Sequence, residues 1–326
     1  MKNILIIIVI IIPNIIQAQA YKKSEPLTHT YSIVARDSVT GDMGVAVQSH
    51  WFSVGSVVSY GKAGVGVVAT QSLVNPSYGP KGLALMEQGL SPQQSLEALL
   101  ANDKGEMYRQ VAFLDVDGNV ATHTGKLCID EAGHWKGKNF SVQANMMLNN
   151  TVWDAMAKAF ENTKGTLSER ILATLKAAEN EKGDIRGKQS ASILIVKGQA
   201  TGNNWEDTIM DLRVEDHENP LEELDRLMQI HKAYDFMNKG DLAMEDGNSK
   251  EAEHLYLEAQ KLFPKNLEMQ YWYAINLLNN KQFDKAKPIL QSIFKKDSNW
   301  KTLTSRLVKS KLLVISEKDL TNVMKL

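Results

Sequence analysis

Between Thr30 and Lys197 the chain changes hydrophobic period in blocks, and the order of those blocks constrains the fold more than any other feature. Glycine-punctuated β stretches come first, over 31–37, 43–50 and 64–71, the last being the short-side-chain run GVGVVATQ. Two helices follow. One begins near Pro80 and carries Leu83 and Met86. The next begins at Ser91-Pro92, where Ser91 caps, Pro92 suits the first helical position and Gln94 completes a capping box. A hairpin then runs through RQVAFLDV and VATHTG around the turn Asp117-Gly118-Asn119, and FSVQANMM reads as a further strand. Helices over 150–163 and 167–182 follow, the second capped by Thr166 with Glu169, and SASILIVK closes the segment as a strand. Strands that bracket two helix pairs predict two stacked sheets with helices outside, a four-layer αββα sandwich of the α+β class.

The remainder is helical with a longer period. Gly240, Gly247, Ala252, Tyr256, Ala259 and Pro264 fit a tetratricopeptide unit, in which small residues let paired helices approach and a proline ends the unit. A looser second copy follows in Ala274, Leu277, Phe283, Ala286, Leu290 and Ile293, and 305–313 is available as a capping helix. Two such units cannot bury a core alone, so they are expected to lean on the first domain. The expected organisation is a leader over 1–20, a sandwich domain over 28–204, a linking segment over 205–231 and a helical repeat domain over 232–326.

The leader reading rests on Lys2, the apolar run Ile4–Ile12 and the small-residue site Ala18-Gln19-Ala20. The run is shorter than the ~20 apolar residues a spanning helix needs. No cysteine stands near the cleavage point, so no membrane anchor is expected, and the mature protein is expected to be exported, either periplasmic or secreted. The single cysteine, Cys128, excludes an intrachain disulfide. With 37 Lys and Arg against 38 Asp and Glu, the net charge of −1 gives no reason to expect a nucleic-acid partner.

Chemistry is expected at strand ends. No metal-ligand spacing, G-x-S-x-G elbow or P-loop occurs, and neither a metal nor a cofactor is expected. The stretch ATQSLVNPSYGPKG leads from a strand of small residues into Gln71, Ser72, Asn75, Ser77 and Tyr78, a set of amides and hydroxyls suited to hydrogen-bonding a substrate or an oxyanion. His123 in THTG and Asn145 in SVQANMM have the same character. For any single one of them a polar residue satisfying its own turn is the better reading, and for Asp184, Arg186 and Gln189 a solvated loop.

Taken together and in order, TYSIVARD, GVAVQS, AGVGVVATQ, NPSYGPKGL, HTG, SVQANM and GD-RG-QSA resemble the DUF1028 family, whose members look like N-terminal-nucleophile (Ntn) hydrolases. The resemblance spans residues 28–231. It implies the αββα Ntn fold and a nucleophilic hydroxyl on the first residue of the mature chain, with that residue's α-amine as general base. Thr30 opens the first strand and is the candidate nucleophile, Lys62 the candidate assisting lysine and Asn145 a third catalytic candidate; Gln71, Asn75, Ser77, Tyr78, His123 and Gln189 are the substrate-binding candidates. Ser32 is a weaker alternative nucleophile. Cleavage after Ala20 leaves Tyr21–His29 in front of Thr30, so the chemistry requires a second cut at His29–Thr30. The expected activity is hydrolysis of a peptide or other small amide, with the repeats holding a protein partner; a homo-oligomer is also open. The alternative is an inactive Ntn-fold binding scaffold.

Overall fold

A computed structural model describes residues 27–326; the expected leader over 1–20 lies outside the described residues. The first domain contains β1 (Leu27–Thr28), β2 (Thr30–Arg36), β3 (Met43–Ser49), α1 (Gly55–Val58), β4 (Ser59–Lys62), β5 (Gly66–Leu73), α2 (Tyr78–Glu87), α3 (Pro92–Leu100), β6 (Arg109–Asp115) and β7 (Val120–Thr124). It continues through β8 (Gly133–Gly137), β9 (Phe140–Ala144), α4 (Val152–Asn162), α5 (Leu167–Asn180), β10 (Ser190–Val196) and β11 (Thr208–Val214). The strands form two antiparallel sheets. One has the order β1-β5-β6-β7 with β4 also paired to β5; the other has the order β11-β10-β3-β2-β9-β8.

Strand alternation builds the layers. Along β2, Ile33 and Ala35 face outward into a core with Phe160, Ile171 and Leu175 of α4 and α5, while Val34 faces inward to Val67, Ala69, Ala112 and Leu114 of the opposite sheet. On the other outer face, Val68, Val111 and Phe113 meet Leu83 and Met86 of α2 and Leu96 of α3. The expected four-layer αββα sandwich is therefore present. Both expected capping boxes are made as well, Ser91 with Gln94 and Thr166 with Glu169. The short strands β4 and β8 were not legible from periodicity.

The segment 205–231 does more than connect. Strand β11 extends the second sheet by pairing with β10, and α6 (Pro220–Glu245) begins by placing Leu221, Leu224 and Met228 in the α4–α5 core. The same helix then carries Ala233, Met237 and Ala243 into the core of the repeats, so one continuous helix serves both domains. Next come α7 (Ser249–Leu262), α8 (Leu267–Asn279), α9 (Phe283–Lys296), α10 (Asn299–Leu307) and α11 (Glu317–Val323). Ala252, Ala259, Ala274 and Ala286 are all buried, as the repeat pattern requires. At Gly240 an added Cβ would lie 2.8 Å from the Tyr256 ring, which explains a glycine in the middle of α6. Thermal unfolding should show that Ala252→Leu destabilises the repeats by roughly 1–3 kcal/mol through overpacking, with a conserved circular-dichroism spectrum.

Candidate functional site

Residues of one parity on six strands face the space between the sheets, and on five of them they change from apolar to polar toward the same end. Val34 gives way to Ser32 and Thr30 on β2, Ala69 to Gln71 on β5, and Ala112 to Gln110 on β6. Val47 gives way to Ser49 on β3 and Leu194 to Ser192 and Ser190 on β10, while β9 contributes Ser141 and Gln143. These polar residues are buried. Amides withdrawn from water must find partners, and here they find one another. Gln143 Nε2 donates to Ser32 Oγ (2.6 Å), Ser32 Oγ to Gln71 Oε1 (2.5 Å), and Gln71 Nε2 to Gln110 Oε1 (2.7 Å). Gln110 Nε2 in turn donates to the carbonyl of Ala144 (2.8 Å). Ser32, already engaged on both sides, is a relay in this network.

Thr30 sits at the polar end of that layer, where the chain crosses from one sheet to the other. Residues 27–28 pair with Leu73 and Ser72 of β5, and Thr30 then starts the second sheet opposite Ser49. The bond at the crossing, His29–Thr30, is held on both sides. Its carbonyl oxygen accepts hydrogen bonds from Ser49 Oγ (2.5 Å) and Arg186 Nη2 (2.8 Å). The Thr30 carbonyl accepts from the backbone amide of Asn145 (3.0 Å), Asn145 Nδ2 (3.3 Å) and Gln71 Nε2 (3.2 Å). Thr30 Oγ1 donates to the Thr28 carbonyl (3.0 Å). Arg186 is fixed by a two-pronged pair with buried Asp184, at 3.0 and 2.7 Å.

Asn145 also fixes the His29 ring. Its Nδ2 donates to Thr30 O and Gln110 Oε1, so Oδ1 is an acceptor and His29 Nδ1, 2.9 Å away, must be the donor. Desolvation holds the imidazole below its ordinary value and the Arg186 charge adds to this, against the Asn145 hydrogen bond and the Asp184 charge.

The other candidates divide. Gln71 and Asn145 reach Thr30, as expected. Asn75 and Tyr78 instead join Asp103 (3.4 and 3.2 Å), which pairs with buried Arg109 at 2.7 Å behind Ser72. Desolvation pushes the Asp103 carboxyl up, but hydrogen bonds from Arg109, Gly105 and Asn75 outweigh it and bring it to about 2. Asn75 Oδ1 accepts the backbone amide of Ser77, so this part of the loop is self-satisfied.

Lys62 is a correction. It pairs with Gly66, at the far end of β5 from Gln71, and its ammonium binds Glu87 at 2.5 Å on the surface. Five residues of strand, about 16 Å, separate the two ends. His123 Nε2 meets the Glu106 carbonyl (2.9 Å), and Gln189 Nε2 donates to Asp216 (3.1 Å); neither side chain enters the network around Thr30. The groups overlooked from sequence are Ser49, Gln110 and Gln143, while Arg186, held by Asp184 and readable with it as a solvated loop, instead reaches the His29 carbonyl. Same-parity polar positions on neighbouring strands are the signal available for Ser49, Gln110 and Gln143. Among the described residues no cluster of three or more His, Cys, Asp or Glu side chains forms a metal site, and no helix is long and apolar enough to cross a membrane.

The family model of DUF1028, described as a family of unknown function, matches residues 30–224, more than half of the chain, and the protein belongs to that family. A tetratricopeptide-repeat model matches residues 243–307. Among solved structures, the chain is similar to a Silicibacter pomeroyi protein assigned to DUF1028, with 30% identity, a TM-score of 0.56, and coverage of 62% of this chain and 88% of that one. A match to Anbu, the ancestral beta-subunit from Yersinia bercovieri, has 10% identity, a TM-score of 0.30 and coverage of 67% and 97%. No curated protein matches the sequence.

A pH dependence follows for a chain that retains His29. The folded ring stays neutral while the unfolded ring takes up its proton near 6.5. This contribution to stability is fully present above 6.5 and is lost as pH falls from there through the lowered folded value, by at most about 1.4 kcal/mol per pH unit. In a Thr30→Ala background, melting curves from pH 7.5 to 5 should fall more steeply with His29 than with His29→Asn.

Proposed function

We propose that the protein is an exported N-terminal-nucleophile amide hydrolase whose nucleophile, Thr30, is released by cleavage of the His29–Thr30 bond. The observation that carries this reading is the double hold on the His29 carbonyl. Ser49 Oγ and Arg186 Nη2 lie where an oxyanion would need donors if Thr30 Oγ1 added to that carbonyl carbon. For the cut itself, the acyl group passes from the Thr30 nitrogen to Thr30 Oγ1, and water then hydrolyses the ester.

After the cut, Thr30 has a free α-amine, with an unperturbed pKa near 7.7–8.0. It takes the hydroxyl proton as Oγ1 attacks a substrate amide and passes that proton to the leaving amine; water then releases the acid from the threonine ester. Ser49 and Arg186 serve the substrate oxyanion as they served the His29 carbonyl. Gln71 and Asn145 hold the Thr30 carbonyl and so aim the residue. The leader over 1–20 supports the export part of the proposal, and the repeats support a protein partner held by the helical domain.

The scaffold alternative draws on one observation, the complete burial of Thr30 in the uncut chain. Variants of the full chain separate the two. Thr30→Ala should accumulate protein that keeps Thr28-His29, Thr30→Ser should be cut more slowly than wild type, and both should melt within a few degrees of it. Cutting of Thr30→Ala at the same bond and the same rate would defeat the nucleophile assignment.

A further inference from the structure

Cleavage at His29–Thr30 would vacate a groove whose present contents describe what it accepts. Strand β4 lies along the first half of one edge of β5, and β1 lies along the last part of that edge, opposite Ser72 and Leu73. The opposite edge of β5 is taken by β6 over Gly66–Ser72. Departure of residues 27–29 would leave Ser72–Leu73 as a short open edge beside Thr30. Ser72 holds a left-handed backbone, φ 74°, unusual for a residue with a side chain. Exposed strand edges capture extended peptides through main-chain hydrogen bonds, and pockets for side chains supply the selectivity.

Two such pockets are visible. The His29 side chain reaches Asn145 Oδ1 through Nδ1, an N–H two bonds beyond Cβ. Asn145 cannot turn its amide around without forfeiting Gln110 Oε1 and the Thr30 carbonyl. The pocket therefore requires a donor. The Thr28 side chain is buried, and its hydroxyl has no hydrogen-bond partner. A small apolar side chain would suit that place at least as well.

We propose that this groove is the acyl-side half of the substrate site. It takes an extended peptide, antiparallel to β5, whose residue before the scissile amide is histidine or asparagine and whose preceding residue is small and β-branched. Asn145 is the specificity-determining residue. Asparagine qualifies because its Nδ2 stands at the same number of bonds from Cα as histidine Nδ1. The inference rests on the hydrolase reading above: the substrate C–N bond breaks, the acyl group moves to Thr30 Oγ1 and then to water, and the peptide leaves as the free acid.

The test uses protein matured from the full chain and the fluorogenic amides acetyl-Leu-Val-X-aminomethylcoumarin with X as His, Asn or Leu. The expected kcat/KM for His and Asn exceeds that for Leu by about tenfold, the scale of leaving a buried acceptor unpaired. Asn145→Leu should abolish the preference for His over Leu. The preference is a ratio of rates within one variant, and a melting curve of Asn145→Leu checks that it folds, so a general loss of activity does not imitate the result. Equal rates for His, Asn and Leu, or a preference unmoved in Asn145→Leu, would overturn the subsite assignment while leaving the hydrolase reading intact. An exported chain that keeps His29 would overturn both.

Discussion

The layer of amides between the two sheets is the constraint on which the rest of the site depends. Gln71, Gln110, Gln143 and Asn145 come from three strands and the end of one of them, and each is buried. An unpaired buried amide costs about 1–3 kcal/mol, so four of them must be arranged together or not at all. Their mutual bonds fix the offset between the sheets at this end, and that offset places the Thr30 carbonyl under Gln71 and Asn145. The aliphatic half of the same layer, with Val34, Val45, Val67 and Leu114, needs no such matching and supplies the burial.

This arrangement explains why Thr30, the proposed nucleophile, falls at the start of a strand. Chain entry at the polar end allows the backbone to cross between sheets where hydrogen-bonding groups are already present. His29 and Thr30 thereby gain partners for both carbonyls without water. Asp184 and Arg186 approach from the loop after α5, and the loop's own backbone secures them: the Arg186 amide donates to Asp184 Oδ1, and Leu148 donates to the Gly183 carbonyl. The repeats are tied to this domain by α6, whose first turns belong to the sandwich core and whose later turns belong to the helical one.

Much of the fold could be read from the sequence because it depends on local rules. Helix starts at Ser91 and Thr166 follow from capping, and the burial of Ala252 and Ala259 from the spacing of small residues. Gln71 and Asn145 could be found because both sit at strand ends. Lys62 was misplaced because distance along the chain from Thr30 says nothing about which end of β5 a short preceding strand will join. Arg186 reads as a solvated loop residue in the sequence because the partner that gives it purpose is a backbone carbonyl at His29, 157 residues away. The polar layer was present as same-parity positions, but register between strands distant in sequence is set by packing and not by either strand alone.

The central claim is that Thr30 becomes the first residue of the working protein. The most direct measurement is N-terminal sequencing, with intact mass, of the wild-type protein recovered from its native host. A chain beginning Thr-Tyr-Ser-Ile agrees with the account. A chain that still carries Thr28-His29 ahead of Thr30 contradicts it.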